Sequence, residues 1–218
     1  MGSRNRLTDP APFIADASAV INLNATGHAR EILRALPRRV KVVDIVAMEL
    51  DQGRRRGRDD AGLLDELVEA GLAEIVRLDE TAESHFEKLV IGPATVTLDD
   101  GEAATIAYAV DTKAIAVIDE RKATRVCAQF FPDLQLGCTV DILSHAEVGR
   151  HLGKPGLGDA VFAALQRGRM RVLPQHVKWV VELIGPARAA ACASLPKSVR
   201  QPQQNVSGQE ARSKNDAV

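Results

Sequence analysis

Short apolar runs alternate along this chain with helix-patterned segments, and an acid stands at or just beyond the end of several of them. FIA leads into Asp16, VKVV is followed by a helix pattern carrying Glu49, and AIAVI leads into Asp119. Runs this short and this apolar read as parallel strands covered on both faces. Strand-helix alternation in turn builds right-handed βαβ crossovers. The predicted fold class is α/β: a three-layer α/β/α sandwich around a central, mainly parallel sheet. Such a sheet offers functional side chains at the carboxyl ends of its strands, so acids far apart in sequence would meet in one pocket. Crowded carboxylates repel one another unless protons or a cation intervene, and a hard divalent metal is their simplest partner.

The 218 residues, 45% of them hydrophobic, suffice for one sizeable α/β domain with an appendage. Residues 1–11 read as a flexible lead-in, 12–150 as the domain, 151–195 as a helical extension packed on it, and 196–218 as a disordered tail. Within the domain, Ser18 is the expected N-cap of one helix running to about Leu36, with Pro37 as its stop. Asp100 is the expected cap of the alanine-rich helix GEAATIAYAVDTK, and LQLGCTV the last domain strand. RMRVL, between two helix-like segments, is an edge-strand candidate. The glycines of HLGKPGLGDA (Gly153, Gly156 and Gly158) read as a loop or helix cap, since no strand precedes them and no GK[ST] follows.

Twenty-eight Lys and Arg against 29 Asp and Glu leave a net charge of −1, so nucleic acid would have to be met by a local patch. Candidate phosphate contacts are the Arg54, Arg55, Arg56, Arg58 run and, after Asp119, Lys122 and Arg125. With one Trp, one Tyr and five Phe, base stacking contributes little. Cys127, Cys138 and Cys192 form no CxxC pair, and the five histidines show no HExxH spacing, which argues against a disulfide framework and a zinc site. No apolar stretch approaches the roughly 18 residues of a membrane span. The polar start lacks a signal-peptide core, so a soluble cytoplasmic protein with no membrane association is expected.

Each acid also has a structural reading. Asp16 can cap the helix that Ser18 enters, Glu49 can be a solvated helix residue, and Glu102 suits a helix N-terminus through the dipole. Asp119, directly after AIAVI, is the least easily explained in that way. Their joint placement favours a shared site.

The series strand-Asp16-x-Ser18, strand-helix with Glu49, Asp99-Asp100-Gly101-Glu102-Ala103 opening an alanine-rich helix, and strand-Asp119-Glu120-Arg121-Lys122 resembles the PIN-domain nucleases. Within them it looks most like the VapC-toxin-like branch and its uncharacterised relatives. The resemblance spans roughly residues 12 to 145. It implies a pocket holding Mg²⁺ or Mn²⁺ that hydrolyses RNA phosphodiester bonds. Asp16, Glu49, Glu102 and Asp119 then serve as metal-binding catalytic acids, with Ser18, Asp100 and Glu120 in support. The third acid is commonly Asp in that family, so Asp100 is the alternative to Glu102. The resemblance also implies a homodimer and, for a toxin, a small antitoxin protein as partner. A non-catalytic PIN-like module binding RNA or protein, or a nuclease acting on DNA, are the competing readings.

Overall fold

A computed structural model describes residues 11–54 and 57–200. Five parallel strands form one sheet: β1 (Phe13–Ala15), β2 (Val40–Val43), β3 (Ala73–Val76), β4 (Ile115–Val117) and β5 (Leu136–Gly137). Their spatial order is β3-β2-β1-β4-β5. Phe13 is in register with Val40 on one side and Ile115 on the other. The order reverses between β1 and β4, and a crevice opens at such a switch point beyond the carboxyl ends of the strands.

The alternation within β1 shows why the sheet has three layers. Phe13 and Ala15 belong to one apolar core, with Val40, Val42, Ile115 and Val117. Ile14 faces the opposite core with Val43, Ala116 and Ile118. All three residues of β1 are buried, as a strand covered on both faces requires. β3 and β5 are the edge strands, and β3 exposes Glu74 and Ile75.

In chain order the helices are α1 (Ala17–Ala25), α2 (Ala29–Ala35), α3 (Asp44–Arg54), α4 (Asp60–Glu69), α5 (Glu80–Val90), α6 (Asp100–Asp111), α7 (Arg121–Phe130), α8 (Thr139–Leu143), α9 (Ala146–Ala163), α10 (Val177–Ile184), α11 (Pro186–Ala190) and α12 (Lys197–Arg200). One layer draws on α1, α2, α4, α8 and the later helices, the other on α5, α6 and α7. Small side chains let α6 sink deep: Ala103, Ala104, Ala107 and Ala109 are each 0% exposed. Among the described residues no helix is long and apolar enough to cross a membrane.

Several local expectations are corrected. The helix after β1 is two helices, because Gly27 takes a positive φ of 73° and turns the chain between α1 and α2. Its N-cap is Asp16 rather than Ser18. Asp99, not Asp100, precedes α6. LQLGCTV contributes only Leu136 and Gly137 to the sheet before Thr139 starts a helix. In α9 the backbone leaves helical geometry at Gly153, with φ 65° and ψ 165°, and resumes with Pro155 near the new start, where its missing N–H does no harm. RMRVL is not a strand, and its Arg169 takes a left-handed φ of 55°. It follows a π-helical turn over Ala164–Gly168 and precedes a single 3₁₀ turn over Pro174–His176.

Candidate functional site

Asp16 and Asp119 stand at the carboxyl ends of the two strands flanking the switch point. Asp16 immediately follows β1, and its N–H donates to the Val117 carbonyl of β4 at 3.2 Å, which closes the sheet at that spot. Its carboxylate accepts from the Ala19 N–H at 2.7 Å and from the Ser18 hydroxyl at 3.0 and 2.9 Å. The capping geometry therefore exists, and it fixes the side chain instead of competing with a functional role.

Asp119 is 5% exposed and lies within a cradle of donors. The Thr139 N–H donates to Oδ1 at 2.9 Å, while the Thr139 hydroxyl and the Asn22 amide donate to Oδ2 at 2.5 and 2.7 Å. A carboxylate offers about four lone-pair directions, so these donors leave room for one more partner. Gly168, in the turn before Arg169, stands against Asn22: a Cβ there would lie 2.6 Å from the Asn22 Oδ1. The turn after α9 thus helps hold the amide that holds Asp119.

Glu102 lies in the first turn of α6 and Glu49 in the second turn of α3. Glu49 has an exposed surface, yet a Cβ built on Gly101 would overlap its Oε2. Any side chain at position 101 would therefore require the Glu49 carboxylate to move.

The electrostatics link these groups into one chain of acids. Asp16 is pushed well above the usual carboxylate range, first by burial and then by the negative charges of Asp119 and, more weakly, Glu102. Burial and then Asp99 push Glu102 up to about 7, with Glu120 adding to the effect and Lys122 opposing it. Burial and then Asp99 raise Glu49 as well, and Arg58 opposes that rise. Asp119 is raised by burial despite its donors. Asp99 thus acts on both Glu49 and Glu102 and joins the two ends of the chain.

All four predicted acids, with Ser18 and Glu120 beside them, fall on this edge, and Asp100 stands where it acts on Glu49. No three of the four bring their oxygens within 4.8 Å of one another, since the one group of His, Cys, Asp or Glu side chains that does so among the described residues is Cys138, Asp141 and His176. That group satisfies itself. The Asp141 carboxylate accepts from the Cys138 N–H at 2.9 Å and the Cys138 thiol at 3.2 Å, and pairs with His176 at 3.2 Å. Those partners overcome its burial and hold Asp141 below the usual carboxylate range, while burial pushes the Cys138 thiol far up. It fastens α8 to the segment before α10.

The predicted basic residues divide. Arg54 is surrounded by Asp51, Asp59 and Asp65 at 3.3, 3.9 and 3.6 Å. Arg58 pairs with Asp60 at 3.1 Å. Arg125 is exposed and Lys122 half-buried on α7. Arg55 and Arg56 lie outside the described residues. Asn22 and Thr139 are the partners that sequence reasoning missed. Their only signal is spatial: 97 and 20 residues separate them from Asp119.

The donor set on the acid edge is carboxylate throughout, the choice of a hard cation. A magnesium-like ion keeps several waters and takes one or two direct carboxylates, which suits acids spaced more widely than a closed cage. Comparison with known families finds that the model of the DUF3368 family, described as a PIN domain, matches residues 12–186. Searches of curated proteins and of solved structures return no match.

Proposed function

The chain belongs to the PIN-domain family, and from that premise we propose that it is an endoribonuclease that uses Mg²⁺ or Mn²⁺ to hydrolyse RNA phosphodiester bonds. The observation that carries this reading is the linked chain of acids beyond the carboxyl ends of β1 and β4, with Asp16 and Glu102 both raised by burial and then by neighbouring negative charge. Asp16 and Asp119 would hold the ion, with Glu102 and Glu49 engaged directly or through water. When bound, such an ion lowers the pKa of a coordinated water and polarises a phosphoryl oxygen.

The protein's own groups do the positioning. Ser18 and the Ala19 N–H aim the Asp16 carboxylate, and Thr139 with Asn22 aims that of Asp119. These bonds fix the rotamers in advance, so little reorganisation remains at the moment of reaction. In the metal-free protein burial and then Asp99 raise the Glu102 carboxyl to about 7, so cation binding near neutrality would displace a proton from it.

Resemblance to the VapC-like branch extends the proposal to a cytoplasmic toxin, a homodimer whose acid edge a small antitoxin protein would cover. RNA cleavage measured with Mg²⁺ or Mn²⁺ tests the core of it. Wild type cuts and Asp16→Asn does not; equal activity in the two would remove the proposal.

A further inference from the structure

Beside the acid edge lies a cation that the sequence patterns did not single out. Arg171 sits in the irregular segment after the turn at Ala164–Gly168, where Met170 and Val172 on either side are 0% and 5% exposed. Their burial in the main core pins the backbone and turns Arg171 outward. Its Nη1 donates to the Glu120 Oε1 at 2.9 Å, and both side chains remain substantially exposed, at 41% and 48%. Glu120 is the neighbour of Asp119 in the chain, and its charge acts on Glu102. The guanidinium is therefore held by the residue that follows Asp119 in the chain.

We propose that Arg171 is a substrate-binding residue that takes an RNA phosphate next to the cleaved bond. This deepens the nuclease reading and rests on it. Three properties support the assignment. An arginine has five N–H donors in a planar fork matched to phosphate oxygens, and the bond to Glu120 engages one of them. An ion pair this exposed adds little stability, so a phosphate can replace the carboxylate at small penalty. The pair also keeps the long side chain in one place before RNA arrives, which reduces the ordering required on binding. Arg54 differs in the number of its partners, because three carboxylates already surround it. The same assignment gives the region beyond residue 150 a part at the site: it delivers the cation that offsets the acids' repulsion of RNA.

The test is fluorescence anisotropy of a labelled single-stranded RNA of mixed sequence with the full chain. It is run in EDTA so that no cleavage intervenes, over a salt series from about 50 to 200 mM. Arg171→Ala binds about 3- to 10-fold more weakly, and its plot of log affinity against log salt is shallower by about 0.7, one single-strand phosphate contact. Arg171→Lys recovers the slope. Glu120→Gln binds at least as tightly as wild type, because the competing carboxylate is gone. Unchanged affinity and slope in Arg171→Ala, with a lowered melting temperature, would make the pair a structural tie and overturn the inference. A loss in Glu120→Gln equal to that of Arg171→Ala would also overturn it. If wild type binds no RNA either in EDTA or with Ca²⁺ in its place, the nuclease reading falls first and takes this inference with it.

Discussion

Among the described residues two groups of side chains of the types that can ligate metals stand out, on either side of Thr139. Cys138, Asp141 and His176 form the tighter one, with ligand atoms all within 4.8 Å. Asp16, Asp119, Glu102 and Glu49 form the looser one. Proximity alone would select the first, but the charges select the second. Asp141 is held below the usual carboxylate range by partners that the protein supplies. Asp16 and Glu102 are held above it, because burial and other acids outweigh every donor they have. One group is electrostatically complete, whereas the other still lacks positive charge. On the proposed reading that unmet demand, more than the spacing of ligand atoms, marks the acid edge as the metal site.

The sharpest way to break the comparison is to neutralise one acid on each side. Asp16→Asn or Asp119→Asn should reduce RNA cleavage by about 10²-fold or more, since several kcal/mol of transition-state stabilisation would go with the ion. Asp16→Asn should at the same time raise the melting temperature of the metal-free protein at neutral pH, as it removes a disfavoured buried charge. Asp141→Asn should do the reverse, lowering stability by about 1–3 kcal/mol and leaving Mn²⁺ affinity unchanged. Denaturant melts and calorimetry separate the two outcomes.

A smaller perturbation probes the α3–α6 contact. In Gly101→Ala the added methyl displaces the Glu49 carboxylate, and cleavage should fall about 10-fold in a protein with native circular dichroism. Cleavage at the wild-type rate would show that Glu49 has no part in the site.

The pH response is gentler and has a definite sign. The pKa of Glu102 rises from 4.5 to about 7 on folding. Its contribution is fully present below pH 4.5 and is lost as pH rises through about 7. The metal-free protein should therefore lose stability across that window. Mn²⁺ should flatten the loss, and Glu102→Gln should reduce it, the other raised acids keeping the remainder. The smallest effect expected is that of Arg54→Ala, within about 0.5 kcal/mol in stability and weaker on RNA affinity than Arg171→Ala.

Much of this was legible in the residues because it is local. Apolar runs of three to five residues announced strands β1, β2 and β4, and an acid after β1 or β4 in a parallel sheet has one edge to occupy. What decides the state of those acids is not local. The Asn22 amide reaches Asp119 across 97 residues, and Gly168 constrains Asn22 from the far end of α9. No periodicity records such contacts. The split between α1 and α2 depended on one positive φ at Gly27, which the helical apolar pattern on either side concealed. RMRVL had the composition of a strand, but Arg171 turns outward from it without a neighbouring strand to pair with.

The most direct test of the central claim is calorimetric titration of Mn²⁺ into the metal-free chain at neutral pH, repeated in two buffers of different ionisation enthalpy. Wild type should bind with release of protons from the raised acids, and Asp16→Asn should show little or no binding. Equal binding in both proteins, or none in wild type, would contradict the assignment of the acid edge as the metal site.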